Sequence, residues 1–203
     1  TKGQYSPTSE QGKKTKASPY GSIDYPLNPP SLALGAQATF VARTIDRWQK
    51  HMAAMLERSY NHDGGSFIEI YQNCNIFNDA AFEEYTGAEK FSNVIELKHG
   101  EPMVFAQGTK GVKLDGFKPK VVDMEKNSID DILIHNETDL DLAHIIANWT
   151  SHPILPEPIG VIYCIDKTTY NQDIVNQIES AIEAKGPGNV QDLLNSGDTW
   201  IVD

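Results

Sequence analysis

Residues 39–71 carry the pattern that most restricts how this chain can fold: two strand-like segments separated by one helix. TFVAR (residues 39–43) is short and β-branched, and SFIEIY (residues 66–71) alternates apolar with polar residues, as strands do. The intervening residues 46–61 have helical periodicity, with Asp46 as the candidate N-cap. One helical face collects the large apolar side chains, namely Trp48, Met52, Met55 and Leu56. Because a helix that joins two strands of one sheet makes a crossover, the pattern predicts an α/β protein with parallel strands.

The rest of the chain predicts further elements of both kinds. Residues 1–30 are rich in turn-forming residues and predict an extended loop with a functional role. A hairpin turning at His99–Gly100 is predicted for VIELKHGEPMVFA, and a buried strand for IGVIYCI (residues 159–165). Three segments predict helices: NPPSLALGAQ (28–37), LDLAHIIANW (140–149) and DIVNQIESAIEAK (173–185).

Composition excludes several classes of function. The net charge of −11 should make the surface as a whole repel nucleic acid and anionic lipid, so neither is an expected partner. The lysines at positions 13, 14 and 16 form a run short enough to be an ordinary solvated loop. The longest apolar runs are much shorter than a membrane span. Two distant cysteines do not make a disulfide framework, which favours a reducing compartment and a cytoplasmic location.

Cys74 stands out because it follows a predicted strand and is flanked by amides, in the stretch YQNCNIFND (residues 71–79). Ligands of open α/β sheets bind beyond the carboxyl ends of the strands, so this position favours a function. Three interpretations are open: an inert free thiol, a nucleophile with His62 as the nearest base, or an iron–sulfur ligand. Cys164, inside a predicted strand, is interpreted as structural, and Glu69 either faces a site or faces solvent.

The opening stretch TKGQYSPTS has a different chemistry, a run of hydrogen-bond donors around one glycine with one cation. Such a run suits a phosphate or a carboxylate, although a plain polar surface loop has the same composition. Asp141 and His144 are spaced for a metal pair on a helix, but they have no third candidate ligand nearby and fit a polar helix face better.

Taken together, TKGQYSPTS, SLALGAQATFVAR and FIEIYQNCNIFND resemble the beta subunit of the 2-oxoacid:ferredoxin oxidoreductases, most of all the 2-oxoglutarate type. IHNETDLDLAHIIANW, PEPIGVIY and LLNSGDTW extend the resemblance over nearly the whole chain. It implies a thiamine diphosphate-binding α/β fold, with residues 1–92 as the carboxyl-terminal part of that domain and residues 93–203 as a mixed α/β extension.

The resemblance also implies an activity. Such an enzyme binds thiamine diphosphate and Mg²⁺ between an alpha and a beta subunit and oxidatively decarboxylates a 2-oxoacid. It passes the electrons through a [4Fe–4S] cluster to ferredoxin and transfers the acyl group to coenzyme A. The expected partners are therefore the alpha subunit, ferredoxin, the 2-oxoacid and coenzyme A.

Individual residues receive expected roles by the same resemblance. Cys74 matches the fourth ligand of the cluster, and its flanking amides are expected to donate to the cluster sulfurs. Thr1 matches a residue that approaches the diphosphate, Gln4 is assigned to cofactor binding, and Lys2 matches a catalytic lysine beside the substrate. The family's GDG-D…NN motif for Mg²⁺ and its three upstream cysteines are absent from this sequence. The chain is therefore expected to be a carboxyl-terminal portion that is inactive alone.

Two alternatives use the same residues differently. A thiamine enzyme without redox chemistry would share the α/β domain but would have no use for Cys74. A non-catalytic module would use its acidic surface to bind another subunit. Cluster content separates the first alternative from the oxidoreductase, and partner binding without cofactor affinity would favour the second.

Overall fold

A computed structural model describes residues 3–150 and 152–202, and the chain divides into two compact units, Thr1–Asp166 and Lys167–Asp203. The strands are β1 (Phe40–Ile45), β2 (Ser66–Tyr71), β3 (Val94–Leu97), β4 (Val104–Phe105), β5 (Lys110–Asp115), β6 (Lys118–Asp123) and β7 (Glu157–Cys164). The helices are α1 (Pro29–Gly35), α2 (Gln49–Tyr60), α3 (Glu83–Thr86), α4 (Lys90–Asn93), α5 (Leu140–Asn148), α6 (Tyr170–Lys185) and α7 (Val190–Leu194). Two short 3₁₀ turns cover Ala106–Gly108 and Ile129–Asp131.

The β1–α2–β2 unit confirms the predicted crossover. β1 and β2 are parallel, and their register runs from Phe40 opposite Ser66 to Ile45 opposite Tyr71. The predicted cap is wrong, because the N–H of Asp46 donates to the carbonyl of Tyr71 and so prolongs the strand pairing by one residue. The helix consequently begins later, with Trp48 in the N-cap position and without a side-chain cap.

β7 completes a four-stranded sheet in the order β2–β1–β7–β3. It runs antiparallel to β1 and parallel to β3, so the sheet is mixed although two of its three pairings are parallel. The α/β fold class is thereby confirmed. The sheet joins strands from both sides of the predicted boundary between residues 92 and 93, and that boundary stays a prediction.

The predicted hairpin at His99–Gly100 is wrong. β3 belongs to the large sheet, whereas β4 pairs with β5 in a separate three-stranded sheet of order β4–β5–β6. The backbone between β3 and β4 pairs with residues 133–135 instead: Gly100 donates to the carbonyl of His135, and Met103 to that of Leu133, each at 2.8 Å. This pairing uses the backbone N–H groups that would otherwise be available to a hairpin between β3 and β4.

The core of the first unit lies between the large sheet and two of its helices. α1 and α5 pack together and cover one face, with Leu34, Val41, Ile146 and Ile162 in the same buried cluster. Their contact is fixed by polar bonds as well, since the Asn28 side chain caps α1 and also donates to the carbonyl of Ala147 at 2.7 Å. α2 covers the opposite face through Met55, which packs against Phe40, Ala42 and Val161.

The second unit contains α6 and α7. The side chain of Thr169 accepts from the N–H of Gln172 and caps α6, so the helix begins three residues before the predicted residue 173. It ends at Gly186, the first residue of a GPG stretch, whose φ of +78° suits glycine. Within the described ranges, no helix is long and apolar enough to cross a membrane.

Candidate functional site

Cys74 lies just beyond the carboxyl ends of the parallel strands β1 and β2, in a loop that we call the Cys74 turn (residues 72–80). The strand before this turn ends at Tyr71, whose ring stacks on Phe82 with centroids 4.6 Å apart and an interplanar angle of 7°. Since Tyr71 precedes the turn and Phe82 follows it, their stacking holds the two ends of the turn together.

Hydrogen bonds within the Cys74 turn close it into a tight loop. The N–H of Asn78 donates to the carbonyl of Cys74 at 2.9 Å, which forms an isolated β-bridge. The amide of Asn73 and the N–H of Ala80 both donate to Oδ1 of Asp79, each at 2.9 Å. The Asn73 amide, which we expected to donate to sulfur, is therefore used to close the turn.

Backbone groups supply the donors around the thiol instead. The backbone N–H groups of Ile76 and Phe77 hold the pKa of the exposed Cys74 thiol below its ordinary value, and that of Asn78 adds to them against the opposing effects of residual burial and Asp79. Donors aimed at sulfur favour the thiolate, which is the form that binds metals and reacts as a nucleophile. These donors therefore suit a nucleophile or a metal ligand better than an inert thiol.

The two cysteines should differ in reactivity, and this can be measured by alkylation. Burial is the main cause that raises the pKa of Cys164, and Glu137 adds to it against Arg58. At pH 7 a larger fraction of Cys74 is therefore thiolate, and we expect iodoacetamide to label Cys74 first, with a pH midpoint below that of Cys164. Peptide mass spectrometry over a pH series checks this expectation; faster labelling of Cys164 would contradict it.

The opening stretch of the chain lies against the Cys74 turn. Gly3 has φ +74°, and a Cβ placed on it would come within 2.8 Å of the Phe77 ring. Nζ of Lys13 donates to Oδ1 of Asn78 at 2.6 Å. The structure thus brings together the two stretches that carried the resemblance. Gln4 is exposed beside this contact, whereas Thr1 and Lys2 lie outside the described residues.

Hydroxyl groups in the same opening stretch bond to one another. The Oγ of Ser9 accepts from the N–H of Ser6 at 2.9 Å, and the Ser6 and Thr8 hydroxyls are 3.1 Å apart. These exposed side chains keep free hydrogen-bonding capacity, because each hydroxyl both donates and accepts. The predicted phosphate or carboxylate cradle stays a prediction.

A buried ionic network lies behind the site, across the three strands β2, β1 and β7. Arg43 is 0% exposed; its Nε donates to Glu69 at 2.7 Å and its Nη1 to Glu157 at 2.5 Å. The hydroxyl of Tyr71 donates to the same Glu157 oxygen at 2.9 Å, and the guanidinium carbon lies 5.2 Å from the Tyr71 ring centroid. The network therefore ends on Tyr71, the residue that directly precedes the Cys74 turn.

Sequence patterns did not reveal this network. Glu69 was expected either to face a site or to face solvent, but its side chain is only 16% exposed and pairs with Arg43. Burial opposes the charge on Arg43, and Tyr71 and the two glutamates outweigh it, so its pKa is raised. In the sequence, the network is indicated by Arg43, because it is a charged residue within the β-branched segment of β1. All six residues of that strand are buried. Among the described groups, its Nη2 has no hydrogen-bond partner.

His62 does not serve Cys74, because it lies at the opposite edge of the sheet. It precedes β2, whereas Cys74 follows β2, and the six residues of that strand span about 20 Å. His62 pairs instead with the Thr39 hydroxyl at 2.7 Å and lies 4.0 Å from the sulfur of Cys164. In residues 3–150 and 152–202 no group of three or more His, Cys, Asp or Glu side chains is arranged to hold a metal ion. The role of Cys74 as a cluster ligand stays a prediction.

Comparison with curated proteins gives a relative over the whole chain and others over part of it, although no family model matches it. The chain is 39% identical over 208 residues to the 2-oxoglutarate oxidoreductase subunit KorB of Mycobacterium tuberculosis, an alignment that covers 100% of this chain and 56% of that protein. It is 38% identical over 85 residues to the beta subunit of 2-oxoacid:ferredoxin oxidoreductase 1 of Aeropyrum pernix, covering 42% of this chain and 27% of that protein. The chain thus spans about half the length of the Mycobacterium tuberculosis relative.

A solved structure has the same fold. The 2-oxoglutarate:ferredoxin oxidoreductase of Magnetococcus marinus matches 98% of this chain and 54% of its own chain with a TM-score of 0.66, at 20% sequence identity. That likeness supports the fold alone, and the sequence match carries the relationship. The resemblance found in the sequence motifs is thereby confirmed: over its whole length, the chain is similar to part of the beta subunit of a 2-oxoacid:ferredoxin oxidoreductase.

Proposed function

We propose that this chain is part of the beta subunit of an enzyme that oxidises a 2-oxoacid, with 2-oxoglutarate as the favoured substrate. The products are the acyl-coenzyme A, CO₂, a proton and two electrons that reduce ferredoxin. The observation that carries the proposal is the 39% identity over the full chain to a 2-oxoglutarate oxidoreductase subunit. The Magnetococcus marinus enzyme, solved with 2-oxoglutarate, coenzyme A and succinyl-CoA bound, supports the same choice of substrate.

The residues at Cys74 fit an iron–sulfur ligand. A cluster thiolate is stabilised by N–H groups directed at sulfur, and Ile76, Phe77 and Asn78 provide such groups to Cys74. In this proposal Cys74 is one of four ligands, and the other three come from cysteines outside this sequence. A cytoplasmic location belongs to the same proposal, because both cysteines are free.

The opening stretch is assigned to the thiamine diphosphate side of the same site. Thr1 and Gln4 would contact the cofactor, which binds together with Mg²⁺, and Lys2 would hold the substrate carboxylate as a compact point charge. When bound, thiamine diphosphate supplies the electron sink for decarboxylation, and the cluster accepts the electrons singly. What supports this arrangement is the contact between Gly3 and Phe77, because it keeps the opening stretch beside the Cys74 turn.

The test is an assay of the full-length subunit assembled with its alpha subunit, with methyl viologen as electron acceptor. We expect reduction of the dye to require both 2-oxoglutarate and coenzyme A, with succinyl-CoA as product. Lys2→Met is the informative variant: the KM for 2-oxoglutarate should rise about tenfold or more, whereas the affinity for thiamine diphosphate should stay close to wild type. Lys118→Met is the matched control, since Lys118 is exposed on the small sheet.

Each alternative has its own outcome. Release of CO₂ without dye reduction, in a protein that contains no iron, would replace the proposal with a non-redox thiamine enzyme. Binding to the alpha subunit without any affinity for thiamine diphosphate would replace it with the interaction module. If Lys2→Met weakens cofactor and substrate equally, the proposed role of Lys2 fails while the activity of the enzyme stands.

A further inference from the structure

An ordered loop with three lysines lies beside the Cys74 turn; we call residues 12–22 the lysine loop. Its two ends are held together by backbone bonds, from Gly12 N–H to the carbonyl of Ser22 at 2.8 Å and from Ser22 N–H to that of Lys13 at 3.0 Å. Gly21 lies so close to Gly12 that a Cβ on it would be 2.7 Å from the Gly12 oxygen. The loop therefore presents its lysines from a fixed backbone.

The lysine loop is joined directly to the turn that carries the thiol. Nζ of Lys13 donates to Asn78 at 2.6 Å, and Asn78 is bridged to Cys74 through the backbone. Lys13 is also paired with Glu10 at 2.8 Å, which reduces its free charge. Lys14 and Lys16 are exposed, and within the described part of the chain neither forms a salt bridge, so their charge faces solvent.

This loop is an exception to the charge of the rest of the molecule. Residues 1–27, which include the loop, contain four lysines and two acidic residues. Residues 28–203 contain the other 13 of the 17 basic residues and the other 26 of the 28 acidic residues. An acidic protein is therefore repelled by most of this surface and attracted at the lysine loop. Charge arranged in this way steers diffusional encounter to one patch and raises association rates by about 10- to 1,000-fold.

Apolar side chains complete the patch. Ile76 and Phe77, on the Cys74 turn itself, are 77% and 54% exposed. A charged rim beside an apolar centre is the usual composition of a protein contact surface, in which the charges guide the approach and the apolar groups exclude water. A nucleic acid fits less well, because its affinity depends on many phosphate contacts and this patch has only two free lysines.

The geometry points to the lysine loop as the docking site of the acidic electron-carrier protein that takes electrons from the centre at Cys74. This inference rests on the proposed function and adds to it where the carrier binds. Each oxidised 2-oxoacid releases two electrons, so two one-electron carriers dock in succession and leave reduced. Because Lys13 of the same loop contacts Asn78 of the Cys74 turn, a carrier docked at Lys14 and Lys16 lies close to that turn, which keeps the electron-transfer distance short.

The experiment compares charge-reversal variants of the assembled enzyme with two electron acceptors. Lys14→Glu/Lys16→Glu alters the patch, and Lys118→Glu/Lys126→Glu makes the same charge change at exposed lysines at the start of β6 and just beyond its end. The acceptors are a recombinant acidic ferredoxin and methyl viologen, a small cation that needs no docking site. Rates are measured with saturating 2-oxoglutarate and coenzyme A at ionic strengths of about 20 and about 300 mM.

We expect the Lys14→Glu/Lys16→Glu enzyme to reduce ferredoxin about tenfold more slowly at low ionic strength, with little difference from wild type at high ionic strength. Its methyl viologen rate should not fall, and the control variant should lose less than about twofold with ferredoxin. Unchanged ferredoxin reduction, or an equal loss in the control, overturns the docking site while the proposed function stands. If the wild-type enzyme reduces neither acceptor, the proposed function fails and the docking inference fails with it.

Discussion

The proposed function predicts that replacing Cys74 with serine removes the iron–sulfur cluster from the assembled enzyme and stops electron transfer. Serine keeps the size of the side chain and the backbone of the turn, but it replaces the thiolate with a hydroxyl that is protonated at neutral pH. Mutation of a residue that hydrogen-bonds to a metal ligand lowers metal affinity or activity by about 10- to 100-fold. Loss of the ligand itself should therefore lower activity by about 100-fold or more.

Three measurements check this expectation on the same preparation: iron and sulfide content, the electron paramagnetic resonance signal of the reduced cluster, and 2-oxoglutarate-dependent dye reduction. Cys164→Ser is the matched control, because Cys164 is half-buried at the opposite edge of the sheet. It should retain both iron and activity. A Cys74→Ser enzyme with its full iron content and wild-type rates would show that Cys74 is not a ligand.

A second comparison separates the thiol from the turn that presents it. Asn73 closes the turn through Asp79, and the donors to sulfur come from the backbone at positions 76–78. Cys74→Ser leaves these bonds in place. The variant should therefore have the same unfolding midpoint in urea as wild-type protein from which the cluster has been removed, which distinguishes a lost ligand from a misfolded loop.

The crossover unit could be predicted from the sequence because its signals are local. A strand is predicted by the alternation of residues 66–71, and a helix by the period of residues 46–61. The glycines between them mark the boundary. Parallel pairing then follows from the connection. The position of Cys74 beyond the carboxyl ends of the parallel strands could be predicted for the same reason, since it depends only on where β2 ends.

Pairing between distant segments could not be predicted in this way. β7 lies between β1 and β3, although more than 100 residues separate it from β1, and nothing in IGVIYCI specifies an antiparallel neighbour. The hairpin prediction failed because residues 100–103 find their backbone partners at residues 133–135. The contact between the lysine loop and Asn78 could not be predicted for the same reason, because it joins residues 65 positions apart. The loop was therefore interpreted as an ordinary solvated loop.

Arg43→Met should produce the largest loss of stability of any single change considered for this protein. The substitution leaves Glu69 and Glu157 without their cation inside the sheet, where Glu157 is 3% exposed. Removing one partner of a buried ion pair costs about 3–5 kcal/mol, because the charge that remains is buried without the cation that compensated it. The free energy of unfolding, measured in urea at pH 7.5, should fall by that amount.

The matched control removes all three charges together. In Arg43→Met/Glu69→Gln/Glu157→Gln, no unpaired charge is left in the sheet, and most of the lost free energy of unfolding should return. A triple variant as unstable as the single one would mean that packing of the guanidinium, and not its charge, is what matters. An Arg43→Met protein with wild-type stability would show that the network contributes nothing.

The pH dependence gives an independent check on the same explanation. A buried carboxyl that has lost its cation has a pKa above its value in the unfolded chain, so it destabilises the fold where it is ionised in the unfolded state. The deficit of Arg43→Met should therefore be full near neutral pH and should shrink as the pH falls toward about 4, where glutamate in the unfolded chain is protonated. A deficit that is constant between pH 8 and pH 4 would argue against an unpaired charge as its cause.

The same variant connects the network to the candidate site. Tyr71 donates to Glu157 within the network, lies beside Arg43 and stacks on Phe82 across the Cys74 turn. When Arg43 is lost, Glu157 loses the guanidinium that donates to it, its hydrogen bond from Tyr71 must change, and the residue that precedes the turn loses its fixed position. Arg43→Met should therefore also make Cys74 react faster with iodoacetamide at urea concentrations too low to unfold the protein, while the labelling of Cys164 should change less, because Cys164 lies at the opposite edge of the sheet.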